Sequence, residues 1–203
     1  MSDAITSVSQ LEALYGTPLQ TSVEKESAVV NSSYRKLIEA APFVAVASIG
    51  AGGLDCSPRG DGPGFVHVID DRTLALPDRR GNNRLDTLRN IIEDPRVALL
   101  FLIPGVNLSL RVNGRAVLTT EHALRERFAV DQKLPTTVML IHIDTLYFQC
   151  ARALKRAQLW SADAQRDPRE LPSAGTLAKS VMQDFDAETY DAELEARQAR
   201  TLY

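Results

Sequence analysis

Cysteine is scarce in this sequence, which contains two, Cys56 and Cys150, far apart along the chain. They form neither a CxxC pair nor a cysteine–histidine cluster, so the sequence predicts no disulfide framework and no metal site. We expect both side chains to be reduced and to pack as small, partly buried apolar groups. The first residues also lack the basic and then apolar pattern of an export signal, which predicts a cytoplasmic protein.

Long apolar runs, net basic charge and the common catalytic signatures are missing as well. No apolar run reaches the roughly 18 residues of a membrane-spanning helix. A net charge of −3 argues against nucleic acid or a membrane surface as a partner. The sequence has no HExxH, GxGxxG or Walker pattern and no Ser–His–Asp order. The histidines do not cluster, and we interpret His67 and His142 as packed among strand neighbours.

Hydrophobic residues make up 44% of the 203-residue chain, enough for the core of a single domain over 1–203. Their periodicity predicts helices over 1–40, strands over 42–150 with a helix inserted at 83–93, and helices over 150–203. Gly114 interrupts one strand and indicates a bulge or a close backbone approach. Six or seven strands joined mostly by hairpins predict a mainly β, α+β fold built on an antiparallel barrel, with the helices flanking it.

Two loops rich in glycine, proline, arginine and asparagine flank one short apolar hairpin, at 55–64 and 76–84. The second loop opens into the inserted helix, with Asn82 or Asn83 as its expected N-cap. Cationic side chains at that end interact unfavourably with the positive end of the helix dipole. A bound dianion would be attracted both by these side chains and by the helix N-terminus. The pattern therefore indicates a site for a phosphorylated ligand. The arginines in these loops are Arg59, Arg79, Arg80 and Arg84.

A second interpretation of the same arginines stays open at this point. Each has an acidic residue nearby, so both loops could be ordinary solvated surface with weak ion pairs. The acidic residues nearest in sequence are Asp55, Asp61, Asp78 and Asp86. Trp160 also allows more than one interpretation. It ends a basic helix predicted over 151–160 and suits core packing, cover for a planar ligand, or a subunit contact.

Five blocks, in collinear order, resemble FMN-binding proteins related to pyridoxamine 5′-phosphate oxidase. They are residues 55–64, 77–86, 102–105, 110–116, and 150–156 followed by Leu159 and Trp160. The resemblance covers roughly residues 24–165, and several blocks in order are far more specific than any single one.

The resemblance implies a split antiparallel β-barrel that forms a homodimer, with an FMN at each end of the subunit interface. It implies FMN as cofactor and an FMN-dependent oxidoreductase acting on a small molecule or a reduced nicotinamide. Because the flavin carries the redox chemistry, the protein needs to supply only orientation and charge, and no catalytic residue is assigned. Two alternatives remain: a non-catalytic FMN-binding protein for storage or sensing, and a binder of a related cofactor such as a deazaflavin or haem.

Transferred to this sequence, the resemblance also implies individual site residues. Phosphate would be held by the strand-end arginine and by the loop that opens the inserted helix. The isoalloxazine would lie against Pro77 and Asp78, and Arg156 and Trp160 would approach from the partner subunit. The implied cofactor-binding residues are Ser57, Arg59, Pro77, Asp78, Arg79, Asn82, Asn83, Arg84, Arg111, Arg156 and Trp160.

Two departures from the oxidase bear on the reaction. Leu76-Pro77 stands where the oxidase has Tyr-Thr, and Asn82-Asn83-Arg84 stands where it has a Ser-Arg-Lys run. The oxidase's C-terminal substrate-recognition segment is not found either. These differences favour FMN binding over the oxidation of pyridoxamine phosphate itself, and the substrate is not identified.

Overall fold

An antiparallel sheet with seven strands forms the centre of the computed structural model, which describes residues 4–203. The first three residues, part of the segment in which no export signal is recognised, lie outside the described residues. The strands are β1 (Phe43–Gly50), β2 (Gly53–Gly60), β3 (His67–Val68), β4 (Thr73–Asp78), β5 (Arg96–Leu102), β6 (Ser109–Thr119) and β7 (Thr137–Gln149). Their spatial order is β2-β1-β5-β6-β7-β4-β3, so β2 and β3 are the two edges.

Helices flank this sheet, as the predicted α+β class requires. They are α1 (Val8–Tyr15), α2 (Gln20–Glu24), α3 (Ser32–Ala40), α4 (Asp86–Glu93), α5 (His122–Glu126), α6 (Arg152–Arg156), α7 (Ala174–Val181) and α8 (Ala187–Arg200). Within the described part of the chain, no helix combines the length and the apolar character that a membrane crossing requires.

Alternation along the strands decides which face of the sheet forms the core. In β1, Val44 and Val46 are fully buried, whereas the residues between them are half-buried. Helix α4 packs over this inner face and adds Leu88 and Ile91 to the same core. The amphipathic spacing of α4 therefore places its N-terminal end beside the edge strand β2, where the arginine-rich loop precedes it.

The bulge expected at Gly114 is confirmed, and so is a close backbone approach. The β6–β7 register shifts between Asn113 and Gly114. A Cβ atom at Gly114 would overlap the carbonyl oxygen of His142 on the neighbouring strand. Glycine is therefore required here by space rather than by backbone conformation.

Three local expectations are wrong. Both cysteines are exposed rather than partly buried; Cys56 points outward from the edge strand, because Asp55 and Ser57 beside it point inward. His142 is exposed, whereas His67 packs on the Phe128 ring with 4.1 Å between ring centroids. The basic helix ends at Arg156 instead of continuing to 160, because Gln158 adopts a left-handed conformation with φ of 50°.

Candidate functional site

A cavity of about 1000 Å³ opens where β2 and β4 end, beside the N-terminal end of α4. Its volume is at the upper end of the range of small-molecule sites in proteins. Eight of the residues implied by the resemblance line it: Ser57, Arg59, Pro77, Asp78, Arg79, Asn82, Asn83 and Arg84. The two loops separated by the short hairpin therefore meet at one place in the fold.

Strand β2 contributes its inward-facing side chains to this cavity. Ser57 and Arg59 lie opposite the buried Val46 and Val44 of β1, so they share the inner face of the sheet. Thr87, near the start of α4, is 2% exposed and joins the two elements. Its hydroxyl donates to Oδ2 of Asp55 at 2.5 Å and accepts from Nη2 of Arg59 at 3.2 Å. This chain of bonds orients the Arg59 guanidinium.

Arg59 pairs with Asp78 at the end of β4, and not with Asp55 or Asp61 as the surface interpretation suggested. Nε of Arg59 lies 3.9 Å from Oδ1 of Asp78, and both side chains are about one-fifth exposed. Burial raises the pKa of the Asp78 carboxyl, although the charge of Arg59 opposes that shift. The cavity thus holds one cationic and one acidic group side by side.

Arg79 forms a different kind of contact, because two of its three side-chain nitrogens already donate to protein atoms. Its Nε donates to Oδ2 of Asp61 at 2.8 Å, and its Nη1 donates to the carbonyl oxygen of Phe128 at 2.6 Å. Burial alone would raise the pKa of Asp61, but hydrogen bonds from Tyr203, the Gly62 N–H and Arg79 outweigh it and lower that pKa. Arg79 and Asp61 therefore form a tight, mostly buried pair within the cavity wall.

The helix beside the cavity begins later than expected, at Asp86 instead of Asn83. Neither asparagine is its N-cap: Leu85 occupies that position in a left-handed conformation and makes no side-chain cap. The side chain of Asn82 instead accepts a hydrogen bond from the N–H of Arg84, and Asn83 has a φ of 60°. These local turns compete with helix formation and keep residues 82–85 as a loop.

The remaining two arginines of this loop are exposed. Arg84 pairs with Asp86 at 2.8 Å, as the surface interpretation predicted, with 75% of its side chain exposed. Arg80 has no ion-pair partner within residues 4–203. Since Asp86 lies in the first turn of α4, it interacts favourably with the helix dipole in the absence of any other anion.

Several lining residues carry no signal in the sequence. The segment before β7 adds Lys133, Thr136 and Thr137, and Tyr203 comes from beyond α8. The hydroxyl oxygen of Thr137 is buried without a hydrogen-bond partner, although Thr137 lies opposite Asp78 in the β4–β7 pair. No local motif marks these residues, because the ladder between β4 and β7 is what brings them to the cavity.

Three implied residues lie outside this cavity. Arg111 pairs with Leu100 across β5 and β6, on the face of the sheet opposite the core, with its guanidinium 5.4 Å from the Tyr147 ring centre. Arg156 is exposed in the last turn of α6. Trp160 is half-buried and donates from Nε1 to the carbonyl oxygen of Val106 at 3.0 Å.

Comparison with known proteins gives a family match and several distant structural matches. The family described as pyridoxamine 5′-phosphate oxidase matches residues 30–150. Among curated proteins, no sequence matches the chain. HupZ from Group A Streptococcus is 22% identical, with 58% of this chain and 91% of that chain covered and a TM-score of 0.47.

Two further solved structures are similar to a comparable extent. A candidate pyridoxamine 5′-phosphate oxidase from Lactobacillus delbrueckii is 17% identical over 60% of this chain and 95% of that chain, with a TM-score of 0.46. An FMN-binding protein from Syntrophomonas wolfei is 15% identical over 56% and 86%, with a TM-score of 0.42.

Proposed function

Since the chain belongs to the pyridoxamine 5′-phosphate oxidase family, we propose that it binds FMN and acts as an FMN-dependent oxidoreductase on a small molecule or a reduced nicotinamide. One observation carries this proposal. Arginines from two separate loops line one cavity of about 1000 Å³ together with the start of α4. A ligand with a dianionic head and a planar body suits that combination of charge and volume.

The donor set fits the phosphate of FMN. Arg59 lies inside the cavity with its guanidinium oriented by Thr87, and Arg80 and Arg84 lie in the loop before α4. The exposed Arg84–Asp86 pair contributes little to stability, so a phosphate dianion can displace the carboxylate. We assign phosphate binding to Arg59, Arg80 and Arg84, and the cavity wall to Arg79, whose Nε and Nη1 are already bonded.

The part of the cavity at the end of β4 and the start of β7 fits a ring with polar edges. Pro77 offers an apolar surface, while Asp78 and the unpartnered hydroxyl of Thr137 offer hydrogen bonds. A buried hydroxyl without a partner loses its hydration and gains nothing in return, so a ligand atom that bonds to it removes that penalty. FMN, when bound, supplies the redox chemistry, and these residues orient it and exclude water.

We further propose a split-barrel homodimer whose subunits meet across the outer face of the sheet. Near β4 and β7 that face is covered by α5, which packs Leu124 against Val138. Along β2, β1 and β5 it is apolar and open: Ala45 of β1 lies between Pro58 and Leu100, and Leu54 is 85% exposed. Arg111 shares this face, next to Leu100. In such a dimer, Arg156 and Trp160 would complete the site of the partner subunit.

The decisive experiment compares FMN with riboflavin, which lacks the phosphate. We expect the wild-type chain to bind FMN, and Arg59→Ala or Arg84→Ala to weaken FMN binding by about tenfold or more, the effect of one lost charge-assisted hydrogen bond. Riboflavin binding should change little. Arg35→Ala, on α3 and paired with Glu39, serves as the matched control. Equal losses for both flavins would contradict the phosphate assignment.

The oxidoreductase step needs a separate measurement. Anaerobic addition of NADH or NADPH should bleach the bound flavin, and an acceptor should restore its colour. A chain that binds FMN tightly yet resists reduction by nicotinamides and by a panel of small donors would instead be a storage or sensing protein. Mixing Arg156→Ala with Arg59→Ala subunits tests the dimer, because mixed dimers would regain one intact site.

A further inference from the structure

Tyr203 lines the cavity although it is far along the sequence from the other lining residues, which fall between 57 and 137. Its hydroxyl donates to Oδ1 of Asp61 at 2.6 Å, and its ring centre lies 5.5 Å from the Arg79 guanidinium carbon. Nζ of Lys133 donates to its main-chain oxygen at 3.1 Å. All of these contacts lie at the cavity, which Arg79, Lys133 and Tyr203 line together.

These contacts connect Tyr203 to three loops that are remote from it in sequence. Asp61 follows β2, Arg79 follows β4, and Lys133 precedes β7. Helix α8, which leads to Tyr203, packs on α7 and has no buried residue of its own. The position of Tyr203 is therefore set by its bonds at the cavity rather than by burial of the helix before it.

Tyr203 forms a wall of the cavity and does not fill it. The volume of about 1000 Å³ is what remains with Tyr203 in place, and that is room enough for a drug-sized or cofactor-sized molecule. The ring is aromatic, and its hydroxyl is bonded to a carboxylate that is itself bonded to Arg79. Such a ring presents a fixed planar surface to a planar ligand.

We propose that Tyr203 is the residue that retains the planar ligand in the cavity, and that ligand exchange requires Tyr203 to leave Asp61 and Lys133. This inference rests on the proposed FMN binding and adds the route by which FMN enters and leaves. Release of the ligand is then coupled to release of Tyr203 from the cavity wall.

The first test measures the rate of FMN release after dilution of the loaded chain, followed by the recovery of FMN fluorescence. Tyr203→Phe keeps the ring but loses the bond to Asp61, so release should become a few times faster. Tyr203→Ala loses both ring and bond, and release should accelerate about tenfold or more. Tyr190→Phe is the matched control, because Tyr190 contacts Phe185 and Arg197 and does not line the cavity.

A double-mutant cycle isolates the bond itself. Asp61→Asn and Tyr203→Phe should each speed release, and the double variant should be less fast than the product of the two factors. Release that is unchanged or slower in Tyr203→Ala would overturn the retaining role. If the wild-type chain takes up no FMN, the proposed function itself fails. If it takes up FMN and Tyr203→Ala releases it at the wild-type rate, only the retaining role fails, so the two failures are distinguishable.

A second test needs no ligand and reports whether Tyr203 docks at all. The bond to Asp61, together with partial burial, raises the pKa of the Tyr203 hydroxyl above its usual value. The other charged groups facing it are Arg79, Lys133 and Asp131. The ultraviolet titration of wild type minus Tyr203→Phe should therefore show one tyrosine that ionises later than an ordinary one. A difference curve at the ordinary tyrosine pKa would overturn the proposal.

Discussion

Thr137 lies directly opposite Asp78 in the β4–β7 pair, and its hydroxyl oxygen is buried without a hydrogen-bond partner. The carboxyl group beside it has a pKa raised by burial. Two polar groups are thus held at the cavity, one with no partner and one paired only with Arg59 at 3.9 Å. Natural proteins leave few buried polar atoms unpaired, so we propose this position as a ligand contact.

Thr137→Val tests this reading by removing the hydroxyl at almost constant volume. Because the hydroxyl has no partner to lose, we expect the free energy of unfolding to stay constant or to rise by about 1 kcal/mol. Affinity for FMN should fall at the same time. Urea unfolding and flavin titration measure the two effects. Thr145→Val, farther along β7, is the control and should leave flavin binding unchanged.

Gly114→Ala should destabilise the sheet. An added Cβ would overlap the His142 carbonyl oxygen, and a backbone atom of the neighbouring strand cannot move aside cheaply. We expect a loss of about 2–4 kcal/mol in urea unfolding. Gly52→Ala, in the β1–β2 turn with open space around it, should change stability by less than about 0.5 kcal/mol. Similar values for the two variants would contradict the close approach.

Asp61 should make stability depend on acid pH. Its folded pKa lies below the ordinary value near 3.8, so the stabilisation from its ionised form is fully present above the unfolded pKa. That stabilisation is lost as the pH falls through the folded value. We therefore expect wild type to exceed Asp61→Asn in free energy of unfolding by more at pH 6 than below pH 4. Urea unfolding at the two pH values measures this difference. A constant difference would exclude this linkage.

Leu85→Gly should stabilise the free protein. Leu85 holds a φ of 62°, a conformation that costs most side chains roughly 1–2 kcal/mol and costs glycine very little. After allowing for the greater freedom of glycine in the unfolded chain, we expect a gain of about 0.5–1 kcal/mol. Leu177→Gly, on the exposed side of α7, should instead lose about 1 kcal/mol. Thermal melts compare the two.

The sequence was sufficient where a signal is local. Hydrophobic periodicity predicted strands over 42–150, and all seven strands of the described chain lie in that range. The ends of α1 show such local signals: the Ser7 side chain accepts a hydrogen bond from the N–H of Gln10, and Gly16 ends the helix with a φ of 71°. The glycine inside β6 correctly indicated a bulge. The start of α4 was predicted three residues early, because asparagines that suit an N-cap equally suit the turns that Asn82 and Asn83 form.

The resemblance of five blocks in collinear order was enough to suggest the family, and the residue pattern placed two arginine-rich loops around one hairpin. The pairing of Arg59 with Asp78, the unpartnered hydroxyl of Thr137 and the reach of Tyr203 to Asp61 followed only from the folded chain. Residues that are 142 positions apart, as the last two are, leave no periodic trace in the sequence. Local patterns record which face a residue occupies, whereas strand order and register determine which distant residue it meets.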